Sequence, residues 1–182
     1  MSPASHLAHL RPRGEEKGTF HAVIETPRGS RVKYKYDEKL GQLRVDKVLP
    51  LGAVFPFDFG FIPSTRCEDG DPLDVLVLMD EPAFPGCVVP VVLLGVLDAE
   101  QTEDGQTLRN DRLLAALVTK YNPPAAESLD DLGKQRLAEI ENFFISYNKM
   151  EGRKFKPIGR RGPGHALRLV EKSHKSFEDD GA

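Results

Sequence analysis

Apolar and polar residues alternate in short runs through the first two thirds of the chain, a pattern typical of β-strands. In segment 31–36, valine and tyrosine alternate with arginine and lysine, so one face of a strand would be apolar and the other cationic. Segments 74–79 and 88–97 are continuously apolar, which predicts strands buried on both faces. Six strands are predicted, the first three joined as an antiparallel meander: 20–26, 31–36, 42–49, 74–79, 88–97 and 113–118.

Helical periodicity is confined to the last third of the chain. Leu137, Ile140, Phe144 and Tyr147 recur at the spacing of one helix face, which predicts a helix over 137–148. A weaker pattern predicts a second helix over 165–175. The phenylalanine-rich segment 55–63 contains two prolines and is interpreted as a core-packing loop.

Many short strands followed by two helices predict an α+β, mainly β fold, with a small barrel and helices packed outside it. The polar residues 1–18 are predicted to form a flexible N-terminal arm. Residues 19–178 are predicted to form a single domain. The chain has 182 residues, enough to bury a hydrophobic core without metal or disulfide cross-links.

Composition removes several classes of function. A hydrophobic fraction of 40% excludes a disordered chain, and a net charge of −3 gives no footprint for nucleic acid. The N-terminus lacks the apolar run of a signal peptide, and the stretch 87–97 is too short to span a bilayer. Because the chain has only two cysteines, Cys67 and Cys87, we expect a reduced, cytoplasmic protein without a membrane partner.

The segment most informative for chemistry is Asp69-Gly70-Asp71-Pro72-Leu73-Asp74, which places three carboxylates in one tight turn before an apolar strand. Converging carboxylates repel one another unless a cation lies between them, and their hard oxygens suit Mg²⁺ or Mn²⁺. The alternative is a solvated acidic turn, since aspartate and glycine are common in turns.

Together with this turn, further segments resemble the soluble inorganic pyrophosphatases of the single-domain, Mg²⁺-dependent type. In chain order they read VIETP at 23–27, VKY at 32–34, VDKVL at 45–49, FPFDFGFIPST at 55–65, DGDPLDVLVL at 69–78 and IENFFISYN at 140–148. The resemblance covers about residues 20–170. It implies a five-stranded OB-like barrel, hydrolysis of pyrophosphate to two phosphates, and a homo-oligomer.

The resemblance also implies roles for particular residues. Asp69, Asp71 and Asp74 would bind metal, and Asp71 would also be the partner of the attacking water. Glu25 would be a supporting carboxylate near the metal site, linked to the metal or to its ligands. Phosphate would be bound by the cationic and phenolic side chains Lys33, Lys47, Arg112 and Tyr147. An acid of the long segment 98–112, assigned to Glu103, would complete the metal ligands.

Five positions depart from the family pattern. Lys35 stands where the family has glutamate, Lys47 where it has arginine, Phe55 and Phe59 where it has tyrosine, and Asn148 where it has lysine. Lysine keeps the charge of arginine but loses its bidentate geometry, and Lys35 adds a positive charge near the phosphate side. The sequence therefore predicts a divergent member of the family.

Three functions stay open on this basis. The first is metal-dependent hydrolysis of pyrophosphate; the second is hydrolysis of another phosphoanhydride, such as triphosphate or a nucleotide. The third is a degenerate homologue that only binds phosphate ligands. The basic cluster at 153–161 would either extend the anion-binding surface or form a solvated charged tail.

Overall fold

The computed structural model describes residues 7–181. It contains nine strands, two α-helices and two short 3₁₀ turns, at Leu7–His9 and Leu129–Leu132. The strands are β1 (Phe20–Thr26), β2 (Val32–Asp37), β3 (Gln42–Val48), β4 (Asp58–Ile62), β5 (Leu73–Leu78), β6 (Val88–Glu103), β7 (Gln106–Arg109), β8 (Arg112–Leu117) and β9 (Lys154–Arg161). The helices are α1 (Gly133–Met150) and α2 (Pro163–Gly181).

Five strands close into a ring in the order β1-β4-β5-β8-β6, with β6 returning to β1. All neighbouring pairs are antiparallel except β5 and β8, which run parallel. The predicted OB-like five-stranded barrel with flanking helices is thus confirmed.

The hydrophobic core has two parts because successive residues of each buried strand point to opposite faces. Val75 and Val77 belong to a cluster to which all five ring strands contribute, together with Ala166 and Val170 of α2. Leu76 and Leu78 point the other way, into a cluster that the apolar face of α1 covers. The predicted face of α1 is confirmed, since its leucine, isoleucine, phenylalanine and tyrosine are all buried.

The predicted meander of the first three strands is wrong. Strands β2 and β3 form a separate two-stranded sheet, while β1 pairs with β4 and β6 in the ring. The contact between β1 and β2 is instead a side-chain one: the Thr26 hydroxyl donates to the Tyr34 carbonyl at 3.2 Å and accepts from the Tyr34 amide at 3.1 Å.

Three further elements differ from the sequence prediction. Residues 58–62 of the phenylalanine-rich segment form strand β4, buried at every position, whereas residues 55–57 precede it without regular secondary structure. The basic cluster at 153–161 forms strand β9 on the outer half of β6 rather than a solvated tail. Strand β6 continues to Glu103 and turns back as β7, so the long acidic segment is largely a β-hairpin.

The first six residues of the predicted arm lie outside the described residues. From Leu7 onward the arm contacts the body of the protein. Ala8 is buried, its carbonyl accepts a hydrogen bond from the Ser64 amide at 2.7 Å, and Arg13 forms a β-bridge with Phe20. The division of the chain at residue 18 stays a prediction.

Candidate active site

One cavity of about 610 Å³ lies between the β2–β3 hairpin, the acidic turn before β5, the start of β8 and the end of α1. Eight of the nine residues to which the sequence assigned a role line it: Glu25, Lys33, Lys47, Asp69, Asp71, Asp74, Arg112 and Tyr147. The tertiary fold thus brings together side chains from six separate segments of the chain.

The acidic turn forms one wall of this cavity. Gly70 has a φ of 83°, a left-handed conformation that glycine adopts without steric cost, and the Asp71 amide donates to Asp69 Oδ1 at 3.1 Å. Burial is the largest effect that raises the pKa of Asp69; the Asp71 amide opposes it, and the charges of Asp71 and Asp74 add to it. The turn therefore concentrates negative charge, as the sequence predicts.

Two of the three aspartates of the turn are paired with cations of the protein. Lys35 Nζ donates to both carboxylate oxygens of Asp71, at 2.9 and 3.1 Å. Arg112 Nη1 donates to Asp74 Oδ2 and also to Asn110 Oδ1. Arg112 is buried, with its guanidinium over the rings of Phe144 and Phe155 at 5.2 and 5.8 Å. It is therefore held as a partner of Asp74 as well as lining the cavity.

Two lysines of the β2–β3 hairpin meet the ring of Tyr147 near the end of α1. Lys33 Nζ and Lys47 Nζ each lie 5.5 Å from the ring centroid of Tyr147, so two ammonium groups share one aromatic ring. Asp46 lies 3.9 Å from Lys33 and 3.6 Å from Lys47, and Lys47 also pairs with Glu151. This lysine–tyrosine–lysine cluster places two ammonium groups close together, and it is therefore the candidate site for binding phosphate oxygens.

The Tyr147 hydroxyl is buried and makes no hydrogen bond of normal geometry within residues 7–181. Burial, followed by the charge of Glu151, raises the pKa of Tyr147 to about 12, while Lys47 opposes that rise. The phenol is therefore protonated at neutral pH and keeps an O–H to donate to an anion.

Glu25 is the penultimate residue of β1 and is buried, and its Oε1 accepts a hydrogen bond from the Tyr36 amide at 2.7 Å. Burial raises the pKa of Glu25 from 4.5 to about 7; the Tyr36 amide opposes that rise, the charge of Asp74 adds to it, and Lys33 and Lys35 oppose it. Near neutral pH this carboxyl thus lies close to half protonation.

Glu103 is the one predicted site residue that does not line this cavity. It pairs with Arg153 Nε at 2.9 Å and faces an adjoining, smaller cavity. The loop side of the main cavity carries two amides instead, Gln101 and Asn110, joined by a hydrogen bond of 2.7 Å from Asn110 Nδ2 to Gln101 Oε1. No sequence signal marked Gln101, whereas Asn110 stands beside the predicted Arg112.

The two arginines of the basic strand β9 both form ion pairs. Arg160 donates to both carboxylate oxygens of Glu141, and Arg161 Nε lies 2.5 Å from Asp98. Only Arg153 of this cluster lines the main cavity. The cluster therefore stabilises the packing of β9 more than it extends an anion-binding surface.

The donor set fits a hard divalent cation in its chemistry, since the turn supplies carboxylate oxygens and the loop side supplies amide oxygens. The positions of these donor groups fit a metal ion less well than their chemistry does. Within residues 7–181, no three histidine, cysteine, aspartate or glutamate side chains are close enough to hold a metal ion. The pairing of Asp71 with Lys35 and of Asp74 with Arg112 explains the lack of convergence.

The structure is a small closed barrel with one open cavity, which is lined by carboxylates, lysines and a protonated phenol. These features define a class of proteins that bind a polyanionic ligand together with divalent metal ions. Comparison with known proteins narrows this class. A family model described as inorganic pyrophosphatase matches residues 22–178. The chain belongs to the inorganic pyrophosphatase family.

Individual relatives match over nearly the whole chain. An inorganic pyrophosphatase of Synechocystis is 35% identical over 92% of this chain and 96% of its own length. A soluble inorganic pyrophosphatase of Chlamydomonas reinhardtii is 37% identical over 97% of this chain and 90% of its own length. The crystal structure of inorganic pyrophosphatase from Thermus thermophilus superposes with a TM-score of 0.86 at 34% identity, covering 95% of this chain and 99% of that one.

Proposed function

We propose that this protein hydrolyses inorganic pyrophosphate to two phosphates in the cavity described above, with Mg²⁺ as the cofactor and Mn²⁺ as an alternative. The observation that carries the proposal is the meeting of the Asp69–Asp74 turn with Lys33, Lys47 and Tyr147 in one cavity of a chain of this family. Pyrophosphate needs cations for its oxygens and carboxylates for the metal ions that accompany it, and both are present.

The proposed roles follow from the charges and hydrogen-bonding capacity of each group. Lys33 and Lys47 bind phosphate oxygens, and Tyr147 donates its O–H to one of them. Asp69, Asp71 and Asp74 would hold the metal, and Asp71 would also accept a proton from the attacking water. A bound divalent cation lowers the pKa of a coordinated water and neutralises charge on the leaving phosphate.

A second candidate is phosphate binding without hydrolysis. The observation that favours it is the ion pair between Lys35 and Asp71, because the ammonium occupies both of the oxygens that would accept a proton from the attacking water. Hydrolysis of a longer phosphoanhydride is the third possibility, since eight cationic side chains against seven carboxylates line the cavity.

These functions are distinguished by phosphate release from pyrophosphate, triphosphate and ATP, each with Mg²⁺, with Mn²⁺ and with EDTA. We expect metal-dependent release that is fastest with pyrophosphate. Faster release from triphosphate or ATP would favour the third possibility. No release from any anhydride, together with pyrophosphate binding measured by calorimetry, would establish the binding function instead.

We further propose a reducing, cytoplasmic setting, supported by the two free cysteines Cys67 and Cys87. No helix among residues 7–181 is both long and apolar enough to cross a membrane. We also propose a homo-oligomer, supported by exposed apolar side chains such as Leu51, Phe84 and Tyr121. Sedimentation equilibrium tests this: a single species at the chain mass of 20.2 kDa would contradict it.

A further inference from the structure

Lys35 lies where a cation is expected. Its ammonium nitrogen is 2.9 and 3.1 Å from the two oxygens of Asp71, so it contacts both oxygens of the carboxylate. The lysine comes from the hairpin and the aspartate from the acidic turn, 36 residues apart in the chain. The contact is therefore a tertiary one between the two halves of the site.

Three carboxylates, those of Asp71, Glu25 and Asp74, lie around the Lys35 ammonium. The lysine side chain is 39% exposed. An ammonium in this position competes directly with a divalent cation for the oxygens of Asp71, since both need the same lone pairs at about the same place.

Elsewhere in the cavity, too, cationic or neutral side chains of the protein stand beside the carboxylates. Arg112 occupies one oxygen of Asp74, and neutral amides stand at Gln101 and Asn110 on the loop side. Cationic side chains outnumber carboxylates around the cavity by eight to seven before any metal binds. The lining is therefore slightly positive before any metal binds, rather than strongly negative.

We propose that the Lys35 ammonium takes the place of one divalent cation in this cavity, so that the protein binds one metal ion fewer than its carboxylates would otherwise hold. The inference rests on the proposed metal-dependent function of the same site and deepens it. Part of the charge neutralisation is then permanent and independent of the metal concentration.

The test counts bound Mn²⁺ per chain by electron paramagnetic resonance of the free ion, in the absence of any phosphate. We expect Lys35→Met to bind one more Mn²⁺ per chain than the wild type does. Lys35→Arg, which keeps the charge, is expected to bind the wild-type number. The matched control is Lys39→Met, which removes an exposed lysine from the rim of the same cavity and is expected to leave the count unchanged.

An equal count of bound Mn²⁺ in the wild type and Lys35→Met would overturn the proposal, whatever the affinities, because the lysine would then not take the place of a metal ion. A gain in Lys39→Met of the same size would overturn it too, since the effect would be one of general charge. Lys35→Gln, which retains a hydrogen bond to Asp71, repeats the count if Lys35→Met proves unfolded by circular dichroism. The count needs no substrate, so it is decided independently of whether pyrophosphate is hydrolysed.

Discussion

Glu25 is a carboxyl that lines the candidate active site and is at the same time buried, so its ionisation is unfavourable. It faces the cavity from the end of β1 with 7% of its surface exposed, and burial raises its pKa to about 7. In the unfolded chain the same carboxyl ionises near 4.5. The folded state therefore favours the protonated form, and ionisation of Glu25 costs stability.

The pH dependence of stability follows with a definite sign. Below about pH 4.5 Glu25 is protonated in both states, and the stability associated with its raised pKa is fully present; that stability is lost as the pH rises through 7. Glutamine mimics the protonated acid, so Glu25→Gln should become more stable than the wild type as pH rises. We expect the difference in unfolding free energy to grow by up to about 3 kcal/mol between pH 4.5 and 8.

Urea unfolding of both proteins in EDTA, at several pH values across this range, measures the difference. EDTA is needed because a bound cation would stabilise the ionised carboxylate. A difference that stays constant with pH would show that Glu25 ionises normally in the folded protein.

At this scale the sequence predicted which residues meet but not how they pair. Lys33, Lys47, Tyr147 and the three aspartates could be located because each lies in a segment that resembles the family. The pairing of Lys35 with Asp71 depends on how the hairpin folds over the turn, which no local pattern reports. No local pattern distinguishes Gln101 from an ordinary surface amide of a hairpin. The prediction of Glu103 rests only on the expectation of an acid in this segment.

Among the elements, the strands with simple patterns were predicted well and those with mixed patterns were not. Strands β5, β6 and β8 carry continuous apolar runs because both of their faces are buried. Strand β4 has the same burial, yet its neighbouring prolines and its glycine favoured a loop. Strand β9 contains Pro157 and many charges, and its pairing partner β6 lies far earlier in the chain.

The close approach of β4 to β1 yields a prediction at this scale. A Cβ added to Gly60 would lie 1.8 Å from the Val23 carbonyl oxygen, so any side chain there forces the two backbones apart. We expect Gly60→Ala to lower the unfolding free energy by about 1–3 kcal/mol or more, as overpacking of a core does. Thermal or urea unfolding measures the loss.

Gly162→Ala is the matched control, since a Cβ at Gly162 would meet no atom within 4 Å. It should change stability much less than Gly60→Ala does. Equal stability of Gly60→Ala and the wild type would mean that β1 and β4 are not packed as closely as the ring requires.

On the scale of the whole molecule, closure of the ring is what makes a site out of scattered residues. The ring fixes the start of β5 beside the start of β8, because those two strands run parallel, and so it places Asp74 next to Arg112. The hairpin β2–β3 and helix α1 then bring the lysines and Tyr147 over this edge. The class of fold was predictable from the sequence. The number of strands was not, since six were predicted and the described residues form nine, and neither was the pairing of β1, which joins strands far apart in the chain.

The central claim is that this cavity hydrolyses pyrophosphate through the carboxylates of its acidic turn. The most direct test is the rate of phosphate release from pyrophosphate with Mg²⁺ by wild type, Asp71→Asn and the control Asp80→Asn, an exposed aspartate after β5. Loss of a proton acceptor for the attacking water should lower kcat of Asp71→Asn by about 10²–10⁴-fold, while Asp80→Asn keeps the wild-type rate. An Asp71→Asn protein that is folded and releases phosphate as fast as the wild type would contradict the account.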